Sequence, residues 1–140
     1  MRAHAEPIPV EECRTLLASA PVGRLVFTED WVPVAHPVNF ALAGDDVIIR
    51  TGLGQKVDAA RRGDLVAFEV DEIDPVSRTG WSVLVIGRAS VVTDIDRLIS
   101  VLDPARRPWI GGRDRYVIQI TTERIEGRRI VLDPVPAATP

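Results

Sequence analysis

Between Arg50 and Lys56 the chain reads RTGLGQK, a run of residue types suited to an anion. Arg50 ends an apolar stretch, Thr51 offers a hydroxyl, and Gly52 and Gly54 leave the backbone open to close approach. Lys56 follows on what reads as the first turn of a helix, and it is the only lysine among 17 basic residues. A helix start adds unpaired N–H groups and the positive end of a dipole to the two cations, a combination that suits a phosphate. A solvated turn with two ordinary charges is the plainer alternative. Two familiar phosphate loops are excluded. Val57 stands where a P-loop needs Ser or Thr, and no glycine sits at its required spacing. A dinucleotide fingerprint lacks both its third glycine and its βαβ setting.

The elements that must position this stretch can be read outward from it. Val47, Ile48 and Ile49 are β-branched and follow the turn Gly44-Asp45-Asp46, which predicts a strand. Gln55 to Arg62 predicts a short helix with Val57, Ala59 and Ala60 inward and Gly63 as its stop. Upstream, residues 1–9 carry two prolines and no period, and read as a flexible arm. Val10 to Ser19 predicts a helix with Val10, Cys13, Leu16 and Leu17 on one face. Gly23 to Thr28 and Trp31 to Phe40 read as strands about the turn Glu29-Asp30. Pro33 and Pro37 cannot donate to a ladder, so the second strand should be irregular or lie at an edge. That leaves backbone groups beside Val38, Asn39 and Phe40 for a planar, hydrogen-bonding ligand, although an ordinary edge is the commoner outcome.

Downstream, Asp64 to Ile73 and Trp81 to Thr93 read as strands, with a bulge or bend at Gly87. Asp94 caps a predicted helix to about Leu102, with Ile95, Leu98, Ile99 and Leu102 as its apolar stripe. A last strand spans Asp114 to Ile125, with a possible extension over 128–131, and 133–140 read as a loose tail. Six strands joined mostly by short turns, with about three short helices, predict a mainly β, six-stranded antiparallel barrel in a single domain over 10–132.

Composition narrows the function. A length of 140 residues suits one core, and a net charge of −3 gives nucleic acid little electrostatic purchase. The single Cys13 excludes internal disulfides and cysteine-rich zinc sites, and His4 and His36 are far apart in sequence. Asp71, Glu72 and Asp74 would suit a hard metal, but Asp-Pro turns and strand-end acids are commonplace, and no metal is expected. Neither an apolar leader core nor a membrane-spanning run is visible, so no membrane partner is expected and a cytoplasmic setting is.

The order of VGRLVF, PVNFAL, RTGLGQK, VAFEVDEIDPVSRTGWSVLVIGRA, PW and ERIEGRRI resembles the pyridoxamine 5′-phosphate oxidase-like flavoproteins, a split β-barrel superfamily. The likeness is closest to their short bacterial branch, which includes nitroimidazole-resistance-type proteins, and it runs from about Val10 to Ile130. It implies a Greek-key split barrel and a homodimer with FMN at the subunit interface. Position by position, Arg50 and Thr51 match the family's aromatic-Thr pair, and Gln55-Lys56 its Arg-Lys phosphate clamp. Val38, Asn39 and Phe40 lie where the family lines the isoalloxazine. Ser82 stands where the oxidases place a flavin-contacting Gln, next to Trp81, and Trp109 lies in a loop that approaches the flavin. The chain departs in having Gln for Arg in the clamp and a loop one residue shorter. Nothing matches the oxidases' C-terminal pyridoxal-holding segment, so vitamin B6 oxidation is not expected.

Three functions follow from these residues. One is an FMN-dependent oxidoreductase acting on an unidentified small substrate. Another is a reductase using an 8-hydroxy-5-deazaflavin coenzyme on the same fold. The third is a non-catalytic flavin-binding or storage protein. No side chain is an obvious acid or base. His36 is the one titratable candidate near the expected flavin face, where an imidazole either donates a proton or simply fills the strand between two prolines.

Overall fold

A computed structural model describes residues 2–101 and 116–134. The chain runs β1 (Ala3–Ile8), α1 (Val10–Ser19), β2 (Val22–Glu29), β3 (Val32–Asn39), β4 (Ala41–Ala43), β5 (Asp46–Thr51), α2 (Gln55–Arg62), β6 (Leu65–Ile73), β7 (Gly80–Val91), α3 (Ile95–Val101) and β8 (Tyr116–Leu132). All pairings are antiparallel, in the order β3-β2-β6-β7-β8-β5-β4, with β1 added along β8. β3 and β4 stand at opposite ends of this path, yet only Phe40 separates them in the chain. Two residues span at most about 7 Å, so the ends of the sheet must meet. The sheet therefore curls into a split barrel, and β3 comes alongside β5 to close it.

Alternation along the strands fills the inside of the curl. Leu25, Phe27, Val47, Ile49, Val66, Phe68, Val70, Val83, Val85, Ile118 and Ile120 are all buried there. Cys13 and Leu17 of α1 cover part of this core, and α2 adds Val57, Ala59 and Ala60. A smaller cluster of Ile48, Val117 and Val101 forms separately, with Leu98 of α3 packed against it. Gly63 ends α2 at φ 71°, in the left-handed region that its missing Cβ permits. At Gly87 the β7–β8 register shifts, and an added Cβ would lie 2.2 Å from the Thr121 carbonyl oxygen. The bend expected there is a real bulge.

Among the described residues the strands number eight rather than six. β1 lies within the segment read as an arm, and its residues other than Ile8 are exposed. Backbone pairing to β8, with no apolar period, defines it, so the pattern of side chains did not reveal it. His4 helps to pin it, reaching Asp133 through Nδ1 and Glu6 through Nε2. β4 has three residues and was hidden between a proline-containing run and the turn at Gly44. β3 lies at the end of the sheet path, as its two prolines require.

Candidate functional site

The strand and helix that hold the RTGLGQK stretch are β5 and α2, and both match the sequence reading. Arg50 and Thr51 close β5 opposite Val117 and Tyr116 of β8. Gly54 precedes α2 with no side-chain cap, and its carbonyl accepts hydrogen bonds from the Val57 and Asp58 N–H groups. Gln55 is exposed, whereas Lys56 is partly buried. The Lys56 ammonium donates to Nδ1 of His36 at 3.1 Å. Among the described residues no carboxylate pairs with it. Burial pulls the Lys56 pKa down from its ordinary value. Burial, and then the Lys56 charge, push that of His36 down as well. With Nδ1 accepting from Lys56, the proton of the neutral ring lies on Nε2. Its ring meets Phe27 edge-on, with centroids 5.2 Å apart.

The remaining candidates are dispersed around this pair. Val38 and Phe40 turn into the core, where Phe40 packs edge-on against Phe68 at 4.7 Å. Asn39 closes β3 between them, opposite Val22 of β2. Trp81, partly buried against the core, opposes Glu72 on β6. With Pro37, Gly23, Arg24, Asp71 and Glu72 it lines a cavity of about 480 Å³. His36 and Pro37 are neighbours on β3 and project to opposite faces of it. Ser82 opposes Asp71 and Arg128 and projects to the other face of β7 from Trp81. Trp109 lies outside the described residues. The structure thus brings Arg50, Thr51, Gln55 and Lys56 together by chain proximity and adds His36 to Lys56. It places Trp81 and Ser82 at the start of a different strand.

Some of the charged chemistry was not singled out from the sequence. Arg24 bridges Glu69 and Asp71 at 3.2 and 2.9 Å on one face of β2 and β6. Glu69 is raised to about 7, first by burial and then by its hydrogen bond to Asp71, against the pull of Arg24. Strand alternation, which puts Glu69 and Asp71 on one face, was the signal available. Tyr116 opposite Thr51 carries the Arg61 guanidinium over its ring at 5.5 Å. Asp74, considered as a metal ligand, instead accepts hydrogen bonds from the Val76 and Ser77 N–H groups and shapes its own turn. No helix among the described residues is long and apolar enough to cross a membrane.

The family model for pyridoxamine 5′-phosphate oxidase matches residues 9–136. The chain belongs to this family. Within the pyridoxamine 5′-phosphate oxidase family its relatives are themselves small proteins of similar length. Uncharacterized protein Rv0080 of Mycobacterium tuberculosis is 40% identical over 128 residues, spanning 88% of this chain and 84% of that protein. A solved FAD-binding protein of Mycobacterium smegmatis is 29% identical, with a TM-score of 0.67 over 90% of this chain and 98% of that one. The fold is also shared with a candidate 5-nitroimidazole antibiotic resistance protein of Bacteroides thetaiotaomicron, at 14% identity and a TM-score of 0.74 over 93% of this chain and 90% of that one.

Proposed function

We propose that the protein is an FMN-binding oxidoreductase acting on a small substrate. Family membership and the likeness to an FAD-binding protein support a flavin. The observation that carries the phosphate end is the Lys56–His36 pair. A partly buried ammonium whose partner among the described residues is an imidazole, not a carboxylate, has no ion pair to give up before it meets an anion. The donor set fits a phosphate: one cation, the Thr51 hydroxyl, and the start of α2 without a side-chain cap.

The isoalloxazine of a bound flavin would supply the redox chemistry, as the hydride or electron carrier. The chain's part is to bind, orient and exclude water. Lys56 holds the phosphate, and the segment Val38, Asn39 and Phe40, at the end of β3, is where the family resemblance places the planar ring. We also propose a homodimer that completes the site, supported by apolar surface at the β2–β3 end, where Trp31 is 96% exposed.

The decisive measurement is fluorescence titration of apoprotein. Each charge-assisted hydrogen bond contributes about 1.5–3 kcal/mol, so Lys56→Ala should weaken FMN by about ten- to a hundredfold. Riboflavin should bind the parent and the variant alike, because it lacks the phosphate. Equal FMN affinity in the two proteins would overturn the phosphate site. The absorbance and mass of the ligand released from purified protein separate FMN, FAD and the deazaflavin coenzyme. A flavin that no reductant cycles would select the storage reading.

A further inference from the structure

We propose that His36 is the second cation of this site: on binding a phosphate monoester it takes up a proton and joins Lys56 on the anion. The inference rests on the phosphate reading above and assigns a role that depends on β3, not on the RTGLGQK stretch. In the protein as described, the Lys56 ammonium donates to His36 Nδ1 at 3.1 Å, so this nitrogen must lack a proton. Lys56 thereby holds the imidazole neutral. A phosphate dianion is the better acceptor for the ammonium, and its two negative charges exceed the single charge of Lys56. Gln55, the neighbouring side chain on α2, is neutral and exposed and does not make up the difference.

Transfer of the ammonium to the phosphate frees Nδ1 and reverses the field on the ring. A cation at hydrogen-bonding distance becomes an ion pair of net negative charge. The reversed field raises the pKa of the ring from its lowered value, and the proton comes from solvent. His36 then has N–H groups at both ring nitrogens and can donate to a phosphate oxygen. Among the described residues its neighbours on the sheet are apolar. β2 presents Leu25 and Phe27, and β3 itself presents Val34 and Val38 on the same face. From α2 comes Lys56, among the described residues the one charged group acting on its titration, and the adjoining β5 carries Arg50 next to its last residue, Thr51. No carboxylate is paired with His36 among the described residues to protonate it without a ligand.

Calorimetric titration of apoprotein with FMN near pH 7.5, in two non-phosphate buffers of different ionisation enthalpy, reads the proton directly. The parent should take up a proton on binding FMN, up to one per site, and none with riboflavin. The phosphate's own second ionisation, near pKa 6, has the opposite sign, since cations favour its deprotonated form. His36→Gln should abolish the uptake and weaken FMN about tenfold at pH 6, with the difference closing as the pH rises. His36→Arg, a permanent cation, should restore affinity without uptake, and unchanged melting temperatures of both variants show that the barrel is intact. Tight FMN binding to the parent with no proton uptake would overturn the role of His36. If Lys56→Ala still weakens FMN in that case, the phosphate site itself stands. If Lys56→Ala leaves FMN affinity unchanged, the site falls and this inference with it.

Discussion

Lys56 is held partly out of water beside a neutral ring, and this depresses both pKa values in the fold. For His36 the sign is set by a folded value below 6.5: its contribution to stability is present above that pH and lost as pH falls through the folded pKa. Glu69 behaves in the opposite sense. Its value is raised from 4.5 to about 7, so the fold favours its protonated form. That contribution is present below 4.5 and lost as pH rises through about 7. Glu69→Gln, which mimics the protonated acid, should therefore gain melting temperature relative to the parent as the pH is raised from 5 to 8. A constant difference across that range would show that Glu69 does not titrate there. Trp81 makes a separate prediction. Its indole lines the cavity beside Pro37, so Trp81→Ala should brighten a flavin that stacks on it. If emission is unchanged and only the melting temperature falls, Trp81 is a packing residue.

At the scale of elements, α2 couples the site to the core. Val57, Ala59 and Ala60 are buried, Lys56 is partly buried and Gln55 is exposed, so the anion site sits on a helix fixed by its own apolar side. The close fit of β2 and β6 beside it can be tested at Gly23. An added Cβ there would lie 2.2 Å from the Phe68 ring, which packs on Phe40. Gly23→Ala should cost about 1–3 kcal/mol, measured by denaturant unfolding. β5, α2 and β7 were legible in the sequence because their side chains carry a clear period and their ends carry turn residues. α3 was legible in position but not in facing. Ile95 and Ile99 are 71% and 72% exposed, whereas Leu98 packs inward and Val101 is buried. Four apolar residues in seven positions allow two stripes, and tertiary packing chose between them. The Lys56–His36 contact could not be read at all. It joins two elements 20 residues apart, and only closure of the sheet brings them together.

For the whole molecule, the apolar surface left open argues for a second copy. Trp31 and Val32 are 96% and 58% exposed on the β2–β3 hairpin, and Val76 is 91% exposed in the β6–β7 turn. Light scattering with FMN present should give twice the chain mass at micromolar concentration. A monomer under those conditions would remove the homodimer from the proposal. Trp31→Ser tests whether this end takes part: a weakened dimer places the hairpin in the interface, and an unchanged one places the interface elsewhere.

The seam at Phe40 has a consequence for how the protein behaves when concentrated. Open sheet edges invite intermolecular strand addition and, at the extreme, fibrils. Here the two end strands are joined through one residue. The exposed run of one is broken by Pro33 and Pro37, and the other is three residues long. Neither offers a template of useful length to a neighbouring chain. The longer open edge is that of β1, six residues paired along β8 and carrying Pro7, so strand addition to the folded protein would have to start there.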